Sequence, residues 1–517
     1  MSLERARFAA VAAAFFALAT VPRLLTHELW RDEAWLWLVV GESASLPALF
    51  ASLARSGQGY LFPWLCYLAR GLQASPLAMQ CVHLVLAVAG VYVFTRWAPL
   101  SRVQRALFVL GYLPFYEYAV ISRHYVAGAL LLWLACAAAR SRRPALGLGA
   151  ALGLLCQTTV YGFLLAVAVA AGWLCDLRLR QRAGTAPLAS PAAGSRREIV
   201  VGLLLAVAGG IAGLVQLVPA PGTSFAEPWR FGWQPEVALR VLQMPWRAFA
   251  LVPRFGLHFW NSNLLDAWPA LQAAAGAAVL LAVTAFLWPR KAALATWLVG
   301  AAGLAAFGYV KYVGVLRHDG HWWLLFAAAL WLGGGLPSQP PASGGSPRRR
   351  DGRATALGVV LALHAAVGAY ASWMDLAHPF SNGARTAAEI RRLGWDELPL
   401  LGYREPPAAA VALALGRPLF APSRGLFTTH PDWGPEQRDL SPHELRCAAR
   451  AFAARERRDI GLVINSELPP WEEIEPAGEI VGAIQASEDY HLYRLRHASL
   501  ASTSAAACPD AAATPGD

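Results

Sequence analysis

The chain has 517 residues, of which 56% are hydrophobic and only 15% are charged. One soluble core cannot hide that much apolar surface, so the composition excludes an ordinary soluble globular protein and predicts a polytopic membrane protein. The formal net charge of +11 would suit a nucleic-acid-binding protein. The arginines, however, lie in short clusters between apolar runs, which is typical of membrane topology, so we expect no nucleic-acid partner.

The N-terminal segment, Met1 to Leu25, has the form of a signal peptide or a signal anchor. Arg5 and Arg7 precede an apolar run that contains a small-x-small site at Ala17 to Ala19. Because Val21 to Leu25 prolongs the apolar run past that site, we interpret the segment as an uncleaved anchor and the first membrane span.

About eleven apolar runs are predicted to be membrane-spanning helices. They are Phe8 to Leu25, Leu77 to Thr95, Ala106 to Ile121, Tyr125 to Ala139, Ala145 to Cys156, Tyr161 to Cys175, Ile199 to Val218, Pro269 to Trp288, Ala292 to Val310, His321 to Gly335 and Ala354 to Trp373. The run Tyr60 to Gly71 reaches only roughly 18 Å as a helix, against a hydrocarbon core of about 30 Å, so we expect an interfacial helix there.

Arginine clusters set the predicted orientation. With a cytoplasmic N-terminus and no crossing at Tyr60 to Gly71, every cluster falls on the cytoplasmic side, as the positive-inside rule requires. The clusters begin at Arg96, Arg140, Arg178, Arg290 and Arg348. We therefore expect a multi-pass protein of the plasma (inner) membrane whose C-terminal part lies outside the cytoplasm.

Composition changes near residue 375, where apolar runs shorten and Pro and charged residues increase. We predict three parts: a transmembrane module at 1–374, a small α/β domain on the outer side at 375–497, and a disordered tail at 498–517. Predicted helices there are 383–393 and 442–454, and predicted strands are 398–403, 460–465, 479–485 and 490–496. A disulfide between Cys447 and Cys508 in this part is left open.

Two adjacent carboxylates, Asp32 and Glu33, stand among tryptophans directly after the first span. Charges at such a position are often only solvated, and Trp often marks the headgroup belt. The alternative is a catalytic role, in which a carboxylate acts as a general base. A second predicted outer turn, Glu117 to His124, brings further polar groups to the same side.

Cationic side chains also concentrate on the predicted outer face. They are Arg123, Arg254, His258, Lys311, Arg317, His318 and His321. Each taken singly fits a snorkelling cation at the end of a span, but together they favour binding of a phosphate group. His318 and His321 have helical spacing with Asp319 between them, yet the sequence offers no third spaced ligand for a zinc site.

The order of these features resembles the GT-C superfamily of integral-membrane glycosyltransferases, in particular the protein O-mannosyltransferase and aminoarabinose-transferase branch. Asp32-Glu33 matches the acidic pair of the first outer loop, Gly59 to Trp64 stands where the interfacial helix of that family begins, and Ser122-Arg123-His124-Tyr125 is similar to its second-turn motif. The second turn lacks the Asp that several members carry after the Arg. Either Glu117 or His124 could take that role.

The resemblance implies transfer of a sugar, with inversion, from a polyprenyl-phosphate carrier to a glycan, lipid or protein acceptor at the outer interface. It implies Asp32 as the general base with Glu33 assisting, and the cations as ligands of the donor phosphate. Some relatives hold a divalent cation at the acidic pair, so Mg²⁺ or Mn²⁺ at Asp32 is an open expectation. Two other classes stay open, a lipid or glycolipid transporter or flippase and a non-catalytic assembly protein, although the spans are nearly free of central charges and show no repeat.

Overall fold

The computed structural model describes residues 3–141, 143–183, 195–224, 228–335, 352–500 and 508. The chain divides into two compact units. The first, here called the helical unit, comprises Met1–Thr26, Gly57–Pro219 and Glu227–Trp373. The second, here called the mixed unit, comprises His27–Ser56, Ala220–Ala226 and Met374–Asp517. The mixed unit thus includes the segment that follows the first span as well as the C-terminal part of the chain.

The helices in chain order are α1 Leu3–Thr26, α2 Arg31–Glu42, α3 Leu46–Leu53, α4 Leu61–Arg70, α5 Leu77–Trp97, α6 Arg102–Val109, α7 Tyr125–Ala139, α8 Pro144–Leu155, α9 Val160–Arg182, α10 Arg196–Leu217, α11 Pro235–Phe249, α12 Pro269–Leu287, α13 Lys291–Val310, α14 Leu316–Leu332, α15 Gly352–Ala377, α16 Gly383–Arg392, α17 Glu405–Leu415 and α18 Pro442–Glu456. The strands are β1 Leu400–Tyr403, β2 Leu419–Ala421, β3 Leu426–Thr428, β4 Ile460–Ile464, β5 Ile474–Ile480 and β6 Tyr490–Leu495. The fold class is therefore a helical, apolar module followed by a small α/β part, as the sequence predicts.

Within the described ranges, seven helices are long and apolar enough to cross a membrane. They are α1, α5, α9, α10, α12, α13 and α15. The predicted runs at α7, α8 and α14 also form helices, of 15, 12 and 17 residues. The predicted interfacial segment forms α4, whose 10 residues are too few to span the hydrocarbon core.

The predicted span Ala106 to Ile121 is wrong as one continuous helix. The chain forms α6, which ends at Val109, and then a separate π-helical turn at Leu113–Glu117. Gly111 and Pro114 explain the break, because glycine favours non-helical backbone and proline has no N–H to donate within a helix. The break places Glu117 at the end of a short turn rather than inside a span.

Arg23 of α1 anchors this turn. Its guanidinium donates to the Phe115 carbonyl at 2.7 Å, to Ser372 Oγ at 2.6 Å and to Thr20 Oγ1 at 2.9 Å, and it lies 3.9 Å from the centre of the Phe115 ring. Buried charges are tolerated when hydrogen bonds satisfy them. Arg23 thereby fixes the backbone that leads into Glu117.

Helices α8 and α10 pack closely through glycine. A Cβ at Gly202 would lie 2.2 Å from the Ala145 carbonyl oxygen, and one at Gly209 would lie 2.3 Å from Gly153 Cα. Small residues let apolar helices approach to backbone contact, which is the usual basis of helix association within a bilayer. We therefore attribute the pairing of α8 with α10 to these glycines.

The mixed unit contains a six-stranded sheet with the order β3-β2-β1-β4-β6-β5. Strand β1 pairs in parallel with β2 and β4, and β6 pairs antiparallel with β4 and β5. The two predicted helices appear as α16 and α18. The sequence did not predict α17, β2 or β3, and the predicted strand 479–485 is displaced, since β5 ends at Ile480 and Ile484 N–H donates to the Pro379 carbonyl.

Cys447 of α18 and Cys508 form a disulfide in the mixed unit, with their Cα atoms 5.5 Å apart. This settles the pairing that the sequence left open. The predicted disordered tail, 498–517, is wrong at its start, because residues 498–500 belong to a 3-10 turn at His497–Leu500. Residues 501–507 and 509–517 lie outside the described part of the chain.

Candidate active site

The two acids of the first loop lie in the first turn of α2, in the mixed unit. The Glu33 carboxylate accepts from the Trp30 backbone N–H at 3.4 Å, which is one half of a capping box, since the Trp30 indole does not cap the helix. A carboxylate there is also favoured by the partial positive charge of a helix N-terminus. The side chain of Asp32 is half-buried, whereas Glu33 is fully buried.

Glu33 takes part in a buried ion pair centred on His27. His27 Nε2 lies 3.1 Å from Glu33 Oε2, and His27 Nδ1 lies 3.0 Å from Asp375 Oδ1. Burial alone would lower the pKa of His27, but the adjacent carboxylates of Asp375 and Glu33 outweigh burial and raise its pKa to about 10. His27 is therefore cationic at neutral pH, and the cluster is held by opposite charges.

Glu488 forms a hydrogen bond with Arg31, the residue that precedes Asp32. Its Oε1 accepts the Arg31 backbone N–H at 2.9 Å, and the Arg31 guanidinium donates to Ser487 Oγ at 2.9 Å. Burial raises the pKa of Glu488 to about 7, although the charge of Arg31 opposes that rise. The C-terminal part of the chain thus fixes the start of the helix that carries the acidic pair.

A second polar cluster lies in the helical unit, around the turn that precedes α7. Glu117 is buried and accepts hydrogen bonds from the Tyr112 hydroxyl at 2.8 Å and from the Trp260 indole N–H at 2.9 Å. The Arg317 guanidinium lies 5.6 Å from the centre of the same Trp260 ring. Trp260 therefore contacts both the acid and a cation.

Arg123 and His124 precede α7, while Arg317, His318 and His321 lie in the first turns of α14. Tyr125 joins the two groups, because its hydroxyl lies 2.8 Å from His318 Nε2 and its ring is 4.4 Å from that of His124. Tyr161 of α9 stacks on His321 with ring centres 4.5 Å apart. Four of the seven predicted phosphate ligands, Arg123, Arg317, His318 and His321, thus form one cluster with His124 within the helical unit.

Burial, and after it the charges of this cluster, keep His124 neutral. Burial lowers the pKa of His124 well below its ordinary value, and the charges of Arg123, Arg317 and His321 act in the same direction. A neutral imidazole offers one donor and one acceptor, so His124 is suited to hydrogen bonding with a ligand.

The remaining predicted ligands occupy other positions in the helical unit. Arg254 and His258 are exposed in the segment between α11 and α12. The Lys311 ammonium lies 4.9 Å from the centre of the Trp229 ring. For these three residues a role in phosphate binding stays a prediction from the sequence alone.

Local sequence patterns did not predict several of the polar contacts in the two clusters. Arg247 of α11 donates to Asp319 at 2.9 Å, and it also contacts Asp266. In the mixed unit, His27 meets an acid 348 positions away in Asp375. No local spacing relates these partners, so only the tertiary structure reveals them.

A metal ion at Asp32 stays a prediction from the sequence. Among the described residues, no three His, Cys, Asp or Glu side chains are grouped so that they could hold one. Glu33, the neighbour of Asp32, accepts from His27 and the Trp30 backbone.

A small apolar cavity of about 30 Å³ adjoins the helical unit's polar cluster. Its lining includes Gly90 of α5, Val126 and Leu130 of α7, and Tyr118. The Tyr118 hydroxyl donates to the Arg317 carbonyl at 2.7 Å. Tyr118 therefore borders both this cavity and the cationic cluster, but the cavity is too small for a lipid chain.

These features define a multi-pass membrane protein with a small α/β part and a buried polar cluster among its helices. No known family profile matches the chain, and no curated protein sequence matches it. Among solved structures, the chain is similar to ArnT from Cupriavidus metallidurans bound to undecaprenyl phosphate. That similarity covers 94% of this chain and 97% of the other, with 14% identity and a TM-score of 0.39.

Proposed function

We propose that this protein is a membrane glycosyltransferase of the GT-C type that moves a sugar from a polyprenyl-phosphate carrier to a hydroxyl or amine acceptor. The observation that carries the proposal is the cationic cluster of the helical unit, in which Arg123 and Arg317 surround His124. A lipid phosphate has the matching chemistry, because its anionic head suits these cations while its apolar chain stays in the bilayer.

Arg123 and Arg317 bind the carrier phosphate in this proposal. The planar guanidinium offers paired N–H donors that suit phosphate oxygens, and it stays charged at any physiological pH. When the bond between the sugar and the phosphate breaks, negative charge grows on the leaving phosphate. Fixed cations then stabilise the transition state more than the ground state, which is the condition for catalysis.

Asp32 serves as the general base. The acceptor oxygen or nitrogen attacks the anomeric carbon, the bond from that carbon to the phosphate oxygen breaks, and its electron pair stays with the carrier phosphate. The acceptor proton passes to the Asp32 carboxylate. A single displacement of this kind inverts the anomeric configuration. Glu33 supports the base through the helix start that it caps.

We place the mixed unit on the outer side of the plasma membrane and the N-terminus in the cytoplasm. The arginine clusters favour this orientation. The disulfide between Cys447 and Cys508 supports it, because disulfides persist in oxidising compartments outside the cytoplasm. A cysteine introduced at Gln73, an exposed position after α4, would then react with a membrane-impermeant reagent from outside.

Transfer by the purified protein from a panel of polyprenyl-phosphate sugars tests the function. We expect release of polyprenyl phosphate together with one glycosylated acceptor of inverted configuration. If no panel member reacts and reconstituted vesicles instead show movement of the intact lipid across the bilayer, the protein is a flippase and the proposal fails.

A further inference from the structure

A second cavity in the helical unit lies away from the polar cluster, at the ends of the helices that the arginine pattern places in the cytoplasm. Its volume is about 330 Å³, within the range of pockets that take small ligands. The lining consists of Arg5, Trp97, Pro99, Ala137, Arg140, Ser141 and Trp331. Nothing in the proposed transfer reaction uses these residues.

The cavity is cationic. As far as its lining is described, two arginines face it and no carboxylate does. Two like charges around one space repel each other unless an anion lies between them. The nearby Glu4 does not supply that anion, because its carboxylate pairs with Arg102.

Arg140 is anchored by one hydrogen bond. Its Nη1 donates to the Leu332 carbonyl at 3.0 Å, which fixes the guanidinium at the end of α14. The side chain is otherwise exposed, so its remaining N–H groups are open to a ligand. Arg5, in the first turn of α1, is exposed as well.

The aromatic walls place the cavity at a membrane interface. Trp331 is buried and stacks on Trp133 with ring centres 6.0 Å apart. Trp97 is 38% exposed, as is typical of Trp at the level of lipid headgroups. Basic pockets between membrane helices on the cytoplasmic side suit anionic lipid headgroups.

We propose that this cavity binds the phosphate group of an anionic phospholipid in the cytoplasmic leaflet. Arg5 and Arg140 contact the phosphate oxygens, Ser141 offers a hydroxyl to the headgroup, and Trp97 packs beside the glycerol region. This site is separate from the site of the donor phosphate. A lipid bound there would anchor the helical unit in the membrane.

Native mass spectrometry of the full-length protein tests the site. The probes are phosphatidylglycerol, phosphatidylcholine and inorganic phosphate, and the variants are Arg5→Gln/Arg140→Gln and, as a matched control, Arg178→Gln/Arg182→Gln at the exposed end of α9. We expect the wild type and the control to retain phosphatidylglycerol in preference to phosphatidylcholine. The Arg5/Arg140 variant should bind phosphatidylglycerol about ten- to a hundredfold more weakly, because charge-assisted bonds are lost.

Equal retention by both double variants would overturn the site. Displacement of the lipid by millimolar inorganic phosphate would overturn the lipid assignment, since the ligand would then be a free anion. If the double variant is not monodisperse, Arg5→Gln alone decides the question. That change removes no hydrogen bond within the described chain, so unchanged lipid affinity would contradict the proposal, while a loss of about tenfold would support it.

Discussion

Two buried histidines, one in each unit, show how the sign of the surrounding charge determines what a polar cluster does. His27 of the mixed unit lies between the carboxylates of Glu33 and Asp375, and its pKa is raised to about 10. His124 of the helical unit lies near Arg123 and Arg317, and its pKa is lowered well below the ordinary value. Both imidazoles are buried, so burial alone does not explain the difference.

The cluster around His27 is structural, whereas the cluster around His124 is suited to binding a ligand. Around His27, opposite charges compensate one another within the protein, which stabilises the start of the chain segment that carries Asp32. Around His124, cations meet a neutral imidazole and aromatic rings, which is an arrangement suited to an incoming anion. The same residue types therefore serve different purposes in the two units.

The largest expected effect follows from changing Asp32. Asp32→Asn keeps the shape of the side chain but removes a base that could accept a proton at neutral pH. We expect transfer to fall by a factor of about 10² or more, while binding of the lipid donor and thermal stability persist. A transfer assay and a donor-binding assay on the same preparation measure both. Near-normal transfer would show that Asp32 is not the general base and would favour Glu117 or His124 in that role. Loss of donor binding would show that Asp32 binds the carrier.

Changing Glu33 should act on stability instead. Glu33→Gln removes one of the two buried carboxylates that face His27 and leaves the His27–Asp375 pair in place, so we expect a loss of about 1–3 kcal/mol. Thermal unfolding followed by circular dichroism should show a clear drop in melting temperature. Glu436→Gln, at an exposed position of the mixed unit, is the control. If both variants melt alike, the His27 cluster does not stabilise the mixed unit.

The stabilising effect of His27 should depend on pH. A group whose pKa is raised on folding contributes stability that is fully present below its ordinary pKa of 6.5 and is lost as pH rises towards about 10. We expect the wild type to lose about 5 °C more in melting temperature than His27→Gln between pH 7 and pH 10. Parallel pH profiles for the two proteins would contradict the assignment of His27 as a buried cation.

A smaller effect is expected at Glu488, whose pKa is raised mainly by burial. Its pKa is raised to about 7, so the folded state holds a proton that the unfolded state releases, and stability decreases as pH rises from about 4.5 to 7. Glu488→Gln keeps an acceptor for the Arg31 N–H and removes the titration. The variant should therefore melt a few degrees higher, relative to wild type, at pH 8 than at pH 5. A constant difference would show that Glu488 does not titrate in this range.

The sequence predicted the elements that depend on local pattern. Apolar runs located the long helices, and the short run before Gly71 was correctly interpreted as a helix too short to span. The span predicted to begin at His321 begins five residues earlier, because α14 begins at Leu316 and carries both His318 and His321. The catalytic roles of Asp32, Glu33, Glu117 and His124 stay predictions. So does a metal ion at Asp32.

What the sequence missed depends on distant contacts. Hydropathy could not predict that Gly111 and Pro114 break an apolar run into α6 and a π-helical turn. The pairing of His27 with Asp375 joins positions 348 residues apart, and Trp260 reaches Glu117 across 143 positions. A single sequence contains no periodicity that relates such partners, so these contacts required the folded chain.

The most direct test of the account is the affinity of purified protein for polyprenyl phosphate, measured for wild type, Arg317→Ala and the exposed-position control Arg178→Ala. Because each charge-assisted bond to phosphate contributes roughly 1.5–3 kcal/mol, we predict that Arg317→Ala binds the lipid one to two decades more weakly and that Arg178→Ala binds it as wild type does. Equal affinities for all three proteins, with the fold of each intact, would contradict the assignment of the helical unit's cluster as the site of the carrier phosphate.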